Sequence, residues 1–304
     1  MLVVCPNPSI DAYAWFADFK VGEVNRMTRI DSFPGGKGTH VALALTVLGN
    51  EVSLMGAWAG NQGEWIKKEC AAYGVQTLGP IIEGNNRKCY TFRSGNEIVQ
   101  NTELLEPGPN WDDVASISFE QTYIEALQRT EWVCVSGSFP LNASDYAYSS
   151  LVSLAVENDK KIVIDCSGKQ LEGCINLPFF GLHLNEHEAR ALTGEATLES
   201  ILNKVHPDVQ LIALTKGKEG LLLYYQGRKL HAKLVIDNVI STVGSGDCLT
   251  AGIMFALSEG MEIEDIARYG VACGAANCMY EPLGMLLKKD VEALLPKTII
   301  TTVS

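Results

Sequence analysis

The sequence has 304 residues, of which 47% are hydrophobic, so it is long enough to bury a full core within one principal domain. Its formal net charge of -12 argues against a general nucleic-acid or anionic-membrane surface, because such surfaces need clustered Lys and Arg. The nine cysteines are an odd number and several lie in apolar runs, which predicts reduced, buried thiols and a cytoplasmic protein. The first residues lack the basic start of a signal peptide and no apolar run is long enough for a transmembrane helix, so no membrane partner is expected.

The first hundred residues predict short elements of mixed type. Segments 10–33 and 87–105 place Tyr, Phe, Thr and Val beside charges, which is typical of a half-exposed sheet. A helix is predicted over 39–48, a strand over 51–57 and a helix over 62–73, and each helix is followed by a glycine. We expect the two sheet segments to form a small β lid that is inserted into the main fold.

The remainder of the chain predicts an α/β fold, because short apolar runs alternate with amphipathic stretches as in a parallel sheet with crossover helices. Strands are predicted at 132–137, 161–165, 180–184 and 211–215, with a last strand near the C-terminus at 298–304. Helices are predicted at 145–158, 186–193, 198–205, 245–259 and 263–280. The last two helices are rich in Ala and Gly, which indicates close helix packing, and the whole chain 1–304 is expected to be one domain.

A glycine-containing turn carries the sharpest chemical signal: Gly244, Ser245, Gly246 and Asp247 follow a strand-like run and open a helical pattern. Without side chains at 244 and 246 the backbone can approach a ligand closely, and the first N–H groups of a helix attract an anion. Asp247 would lie beside that anion, where it could accept the proton of an attacking hydroxyl. The alternative is that Asp247 only caps its helix.

This turn resembles the second signature of the ribokinase-like (phosphofructokinase-B) sugar kinases, in which the aspartate is the catalytic base. The first signature of that family is similar to Pro-Gly-Gly-Lys-Gly-Thr-His-Val-Ala at 34–42. Further similar segments cover nearly the whole chain and resemble the 1-phosphofructokinase and tagatose-6-phosphate kinase branch: 7–11, 22–26, 106–109, 136–140 and 165–168. The resemblance implies a three-layer α/β/α sheet with a β lid, and ATP-dependent phosphorylation of a sugar hydroxyl.

The resemblance also implies which residues bind the acceptor sugar. They are Asp11, Arg26, Gly36, Lys37, His40, Arg87, Lys88 and Ser138. The four cations among them would supply the positive charge that a phosphorylated acceptor needs, although each taken singly is typical of a solvated surface charge. Lys37 stands apart because the glycines on both sides of it bring the backbone close to a ligand.

On the nucleotide side, Asn185 and Glu188 resemble the Asn-x-x-Glu motif that organises Mg²⁺ around the phosphates of ATP. By the same resemblance, Thr215, Gly217 and Gly220 would line the nucleotide path. Asn277 also matches a position that approaches adenine in relatives, and the alternative is an ordinary hydrogen bond between helices. ATP and Mg²⁺ are therefore the expected cofactors.

The acceptor stays open, because His40 stands where this branch normally has Asn. A histidine is bulkier and can titrate near neutral pH, so it could select another pattern of hydroxyls. Fructose 1-phosphate, tagatose 6-phosphate, an unphosphorylated sugar and a nucleoside all remain candidates. A non-catalytic sensor of a sugar phosphate or nucleotide is the alternative from another class, although Asp247 favours an enzyme. A homodimer through the lid is also expected.

Three other site types fit the sequence poorly. The His-x-x-Glu-His pattern at 183–187 resembles an inverted zinc-protease motif, but His183 ends a strand-like run and Asn185 is typical of a helix cap, which would separate the two histidines. No Gly-x-Gly-x-x-Gly follows the first strand, which argues against a nicotinamide site. A Walker loop needs Ser or Thr after Gly-Lys, whereas Gly38 follows Lys37.

Overall fold

The computed structural model describes residues 1–96 and 98–303. The predicted lid segment 87–105 contains residue 97 and the predicted C-terminal strand contains residue 304, and these two positions lie outside the described residues. No helix in the described ranges is long and apolar enough to cross a membrane.

The strands and helices alternate through most of the chain. The strands are β1 (Leu2–Val4), β2 (Ser9–Phe16), β3 (Arg29–Gly35), β4 (Ser53–Met55), β5 (Gln76–Leu78), β6 (Arg87–Ser94), β7 (Glu103–Leu105), β8 (Trp132–Ser136), β9 (Lys161–Asp165), β10 (Gly181–Asn185), β11 (Leu211–Thr215), β12 (Leu221–Tyr225), β13 (Arg228–Lys233) and β14 (Ile299–Thr302). The α-helices are α1 (Lys37–Leu48), α2 (Gly60–Ala72), α3 (Asp113–Leu127), α4 (Ala147–Glu157), α5 (Gly168–Glu172), α6 (Glu186–Thr193), α7 (Leu198–Leu202), α8 (Ser245–Ser258), α9 (Ile263–Asn277) and α10 (Lys288–Leu294).

A ten-stranded sheet forms the centre of the molecule, in the order β14-β13-β12-β11-β10-β9-β8-β1-β4-β5. The strands from β11 through β5 pair in parallel, whereas β12, β13 and β14 add on in antiparallel fashion. Parallel strands place their carboxyl ends at one edge of the sheet, where ligands bind in open α/β folds. The predicted α/β class is therefore confirmed.

Helices cover both faces of this sheet, which gives the three predicted layers. Alternate residues of each strand point to opposite faces, so Val3 belongs to the apolar cluster that includes α1, α2, α8, α9 and α10, whereas Leu2 and Val4 belong to the cluster that includes α3 to α7. The two apolar layers bury nearly every aliphatic side chain of the central strands. This burial on both faces explains why the strands read as continuous apolar runs rather than alternating ones.

The lid is a second, four-stranded sheet in the order β3-β2-β6-β7. Its central pair is parallel, with Ser9 opposite Arg87 and Asp11 opposite Cys89, and β3 and β7 add on in antiparallel fashion. The predicted lid is confirmed for the described residues. A small cluster of Phe16, Phe19 and Phe92 supports it apart from the main core.

Most predicted elements are present, with shifted ends. Helix α1 begins at Lys37, two residues before its predicted start, because Gly36 caps it with a φ of 94°. Helix α7 ends at Leu202 and α9 at Asn277, each three residues before its predicted end. Helix α3 and the β12–β13 hairpin were not predicted. Asp112 was the available signal for α3, because it caps the helix by accepting a hydrogen bond from the N–H of Ala115.

Candidate active site

A cavity of about 1170 Å³ lies at the carboxyl edge of the central sheet, beneath the lid. Its floor is formed by the ends of four neighbouring strands, at Gly137, Asp165, Asn185 and Thr215. The lid contributes residues from β2, β6 and β7, and the first turn of α8 closes another side. This is the edge at which an open parallel sheet places its ligand site.

Most residues that the sequence predicts for the site line this cavity. From the first half of the chain they are Asp11, Gly36, Lys37, His40, Arg87 and Ser138. From the second half they are Asn185, Glu188, Thr215, Gly217, Gly220, Gly244, Ser245, Gly246 and Asp247.

Three predicted residues do not line the cavity. Lys88 follows Arg87 on β6 and therefore points to the other face of the lid, since side chains alternate along a strand. Arg26 lies in the exposed connection between β2 and β3. Asn277 is buried at the end of α9 and donates a hydrogen bond to the carbonyl of Met285, which holds the following loop against the helix.

The turn before α8 has the backbone conformation of an anion site. Gly244 has a φ of 82°, in the left-handed region that favours glycine. A Cβ at Gly244 would lie 2.6 Å from the backbone nitrogen of Gly284, so only glycine allows the two backbones to pack together. The N–H groups of Gly246 and Asp247 lie in the first helical turn, which has no intrahelical acceptors. Free N–H groups in such a turn suit an anion, and phosphoryl binding at this turn stays a prediction.

His40 connects Asp247 to Asp11 across the cavity. The Nδ1 of His40 lies 2.8 Å from Oδ2 of Asp247, and its Nε2 lies 3.3 Å from Oδ2 of Asp11. Among the described residues Nε2 has no partner with hydrogen-bond geometry, so the second contact is an ion pair when the ring is protonated. Asp11 also accepts from Ser9 Oγ at 2.6 Å and from the N–H of Gly36 at 3.4 Å.

The two carboxylates keep the imidazole of His40 protonated. Burial by itself would lower the pKa of His40, but Asp11 and Asp247 outweigh burial and raise the pKa to about 10. Burial by itself would raise the pKa of Asp11, and His40 reverses this so that the pKa lies below its usual value. The sequence leaves open that His40 titrates near neutral pH, whereas its two anionic neighbours in the structure raise its pKa above that range.

Lys37 makes a second ionic link at the start of α1. Its Nζ lies 3.1 Å from Oδ1 of Asp165 and 3.6 Å from Oε1 of Glu188. Asp165 raises the pKa of Lys37 above its usual value, against the opposing effect of burial. Burial by itself would raise the pKa of Asp165, but Lys37 and His183 hold it below the usual range. The ammonium therefore stays charged, and two carboxylates share it.

Asp165 belongs to a buried polar network that sequence reasoning missed. Its Oδ2 accepts from Ser136 Oγ at 3.1 Å and lies 3.6 Å from Nδ1 of His183. The ring of His183 also lies 3.1 Å from Thr250 Oγ1 and 3.3 Å from Thr215 Oγ1. This network ties strands β8 to β11 to helix α8. The available signal was an aspartate at the end of an apolar strand, where the carboxyl edge of a parallel sheet is expected.

Asn185 and Glu188 form a capping box at the start of α6. Asn185 Oδ1 accepts from the N–H of Glu188, and Glu188 Oε2 accepts from the N–H of Asn185, both at 2.9 Å. Glu188 Oε1 is left to face Lys37 and the cavity. This arrangement fits Mg²⁺, which keeps several waters and takes one or two carboxylates beside nucleotide phosphates. Within residues 1–96 and 98–303, no group of three or more His, Cys, Asp or Glu side chains could hold a metal by itself.

The geometry at 183–187 does not form a zinc-protease site. His183 lies in β10 and His187 in α6, with Asn185 between them as the helix cap. A His-x-x-Glu-His site needs one helix through all five residues, so that both histidines share a face. Zinc hydrolysis is therefore not supported for these residues.

Comparison with known proteins agrees with this geometry. Residues 7–284 match the pfkB family of carbohydrate kinases. The chain is 26% identical to the 1-phosphofructokinase of Bacillus subtilis over 97% of both chains, and 28% identical to that of Borreliella burgdorferi over 90% of both. It shares the fold of a possible 1-phosphofructokinase from Thermotoga maritima, with a TM-score of 0.87, 20% identity and coverage of 100% of this chain and 99% of that one. The chain therefore belongs to the pfkB family of carbohydrate kinases.

Proposed function

We propose that this kinase transfers the γ-phosphoryl group of ATP to a hydroxyl of a ketohexose phosphate, with Asp247 as the general base. The observation that carries the proposal is the position of Asp247 in the first turn of α8. From there it lines the cavity together with the Gly244–Gly246 turn, Asp11 and Arg87. A base, an anion-binding turn and an acceptor-side cation in one cavity are the parts that phosphoryl transfer requires.

In the proposed reaction, Asp11 accepts hydrogen bonds from sugar hydroxyls and orients the acceptor. The acceptor hydroxyl oxygen attacks the γ-phosphorus while the bond to the leaving ADP oxygen breaks, and the hydroxyl proton passes to Asp247. The N–H groups of the Gly244–Gly246 turn stabilise the charge on the transferred group. Magnesium, held by Glu188 and with Asn185 in its surroundings, would neutralise phosphate charge when bound. Thr215, Gly217 and Gly220 would line the nucleotide path.

Arg87 is the cation best placed for a phosphate on the acceptor. Its Nε donates to the carbonyl of Asn7 at 3.2 Å, which leaves the terminal nitrogens for a ligand. Ser138 lines the same end of the cavity. Lys37 contributes less net charge, because Asp165 and Glu188 already share its ammonium. Fructose 1-phosphate, phosphorylated at O6, is favoured over tagatose 6-phosphate because two relatives are 1-phosphofructokinases.

The test is ADP release from ATP and Mg²⁺ across ketohexose phosphates, unphosphorylated sugars and nucleosides. We expect turnover with a ketohexose phosphate, and a loss of at least about a hundredfold in kcat for Asp247→Asn, the scale of a general base. Asp208→Asn, at a side chain that is 75% exposed, is the matched control and should keep normal turnover. Turnover only with an unphosphorylated acceptor would overturn the phosphate site, and no turnover with any acceptor would favour a sensor.

A homodimer through the lid is part of the proposal. The lid sheet exposes the large apolar side chains of Ile30 on β3 and Leu104 on β7, and Met27 is exposed in the connection before β3. Exposed apolar side chains on one small sheet favour contact with another protein surface. Sedimentation velocity of Ile30→Glu should show a shift from dimer to monomer. Ile117→Glu on α3, at a similarly exposed position, should leave the wild-type species unchanged.

A cytoplasmic location is also inferred. All nine cysteines are free thiols and eight of them are buried, which favours a reducing compartment. Fractionation of cells that produce the full chain would test this, and recovery in a membrane fraction would contradict it.

A further inference from the structure

The imidazole of His40 lies between two carboxylates that come from distant parts of the fold. Asp11 projects from β2 of the lid, and Asp247 projects from the first turn of α8. An ionised carboxylate only accepts hydrogen bonds, so a ring nitrogen that faces one favourably must carry a hydrogen. A lone pair on either nitrogen would repel an oxygen at 2.8 or 3.3 Å. A proton on both nitrogens makes both contacts favourable, and the ring is then a cation.

The surroundings of His40 leave it little freedom. Its side chain is 4% exposed. A Cβ at Gly284 would lie 2.2 Å from His40 Cγ, so the loop after α9 packs directly on the ring. The charged groups that face the ring are Asp11 from the lid and Asp247 from α8, while Lys37 lies one turn earlier on the same helix. The ring is thus held between the backbone at Gly284 and the carboxylates of Asp11 and Asp247.

The bridge decides which oxygens remain for chemistry. His40 occupies Oδ2 of Asp247, and among the described residues Oδ1 of Asp247 accepts no hydrogen bond. Asp247 lines the cavity, so Oδ1 is the oxygen available to an acceptor hydroxyl. The ring also brings the charge of the group formed by Asp11, Asp247 and His40 from -2 to -1. A less negative group opposes the approach of an anionic acceptor and of ATP less strongly.

We propose that His40 is a positioning residue for the kinase reaction: its imidazolium fixes the orientation of Asp247 and links the base to the sugar-binding carboxylate Asp11. The proposal rests on the proposed function, because it takes Asp247 as the base. It explains how the base keeps one free oxygen toward the acceptor. One ring therefore contacts both the lid strand β2 and helix α8.

Two substitutions at His40 separate hydrogen bonding from charge. His40→Asn can keep a donor near the position of Nδ1 but loses the charge and the contact with Asp11, whereas His40→Ala loses all three. We expect kcat to fall at least about tenfold in His40→Ala and by a smaller factor in His40→Asn. KM for ATP should change little in both variants, because the lost interaction acts mainly in the transition state. Added imidazole should restore part of the activity of His40→Ala and none of that of Asp247→Asn. Normal kcat in His40→Ala would overturn the proposal.

A substitution outside α1 tests the same bridge by steric means. Gly284→Ala should displace the ring and lower kcat as His40→Ala does. Gly260→Ala is the matched control. The φ of Gly260 is 66° and that of Gly284 is 64°, so an alanine is similarly strained at both positions, but no atom lies within 4 Å of a Cβ added at Gly260. Both variants are compared by thermal unfolding first, so that a shared loss of stability is separated from the loss of kcat. Equal kcat in the two variants would contradict the steric link to His40.

The state of the ring can be read without any turnover. Nitrogen-15 NMR of the full chain at neutral pH should show both nitrogens of His40 protonated, and Asp11→Asn with Asp247→Asn in one chain should abolish this state. A neutral ring with a single protonated nitrogen in the wild-type chain would overturn the bridge even if the kinase is active. An imidazolium in a chain without kinase activity would support the bridge and overturn the proposed function instead.

Discussion

The ammonium of Lys37 lies 3.1 Å from the carboxylate of Asp165, whose side chain is fully buried at the end of β9. Glu188 lies 3.6 Å away on the other side of the same ammonium. One cation thus joins the start of α1 to the strand edge and to the proposed magnesium ligand. Any change at this lysine is expected to affect both the acceptor and the nucleotide.

Asp165→Asn should destabilise the protein and weaken the binding of both ATP and the acceptor. Breaking a buried ion pair costs about 3–5 kcal/mol, but Lys37 is 42% exposed and water compensates part of this, so we expect about 1–3 kcal/mol. The free energy of unfolding in urea measures the loss, and KM values for ATP and acceptor should both rise. Asp208→Asn is the control, and equal stability of the two variants would refute the role of the pair.

Arg87→Ala should raise KM for a phosphorylated acceptor and leave KM for ATP almost unchanged. A hydrogen bond to a charged group contributes about 1.5–3 kcal/mol, which corresponds to a rise of about tenfold or more. Lys88→Ala is a close control, because Lys88 is adjacent on β6 but points to the other face of the lid. Equal KM values in these two variants would remove Arg87 from the acceptor site.

The stability contributed by His40 should decline in alkaline solution. Because the pKa of His40 is raised from 6.5 to about 10 in the folded protein, its contribution is fully present below pH 6.5 and is lost as pH rises toward about 10. In that window, the free energy of unfolding of the wild type relative to His40→Asn should fall by up to about 1.4 kcal/mol per pH unit. Urea unfolding across this range measures the difference, and a constant difference would contradict the folded-state ion pairs.

Gly252→Ala should destabilise the contact between α8 and α9. A Cβ at Gly252 would lie 2.4 Å from the carbonyl oxygen of Tyr269, so the two helices must separate to admit a methyl group. The expected loss is about 1–3 kcal/mol in the free energy of unfolding. Gly173→Ala is the control, because its nearest neighbour would be 3.6 Å away. Similar melting temperatures of the two variants would show that the helices can adjust.

The sequence predicts the sheet and the turn before Asp247 well, because these depend on local patterns. Each apolar run of β8 to β11 is a continuous stretch of a few residues, and the glycines at 244 and 246 lie directly before Asp247. It does not predict what His40 touches, since Asp247 lies 207 positions away and Asp11 is in the lid. Helix α3 was missed because its run of Val, Ile, Ser and Thr has weak helix propensity, and burial of Phe119 and Tyr123 stabilises it instead.

The long spans across this site also bear on how the protein is made. Tyr13 of the lid contacts Ser241 from 228 positions away, and Lys37 reaches Asp165 across 128. Contacts of such separation form late and slowly during folding, since long loops must close first. The site can therefore be completed only after most of the chain has left the ribosome, because Asp11 is synthesised long before the aspartate at 247.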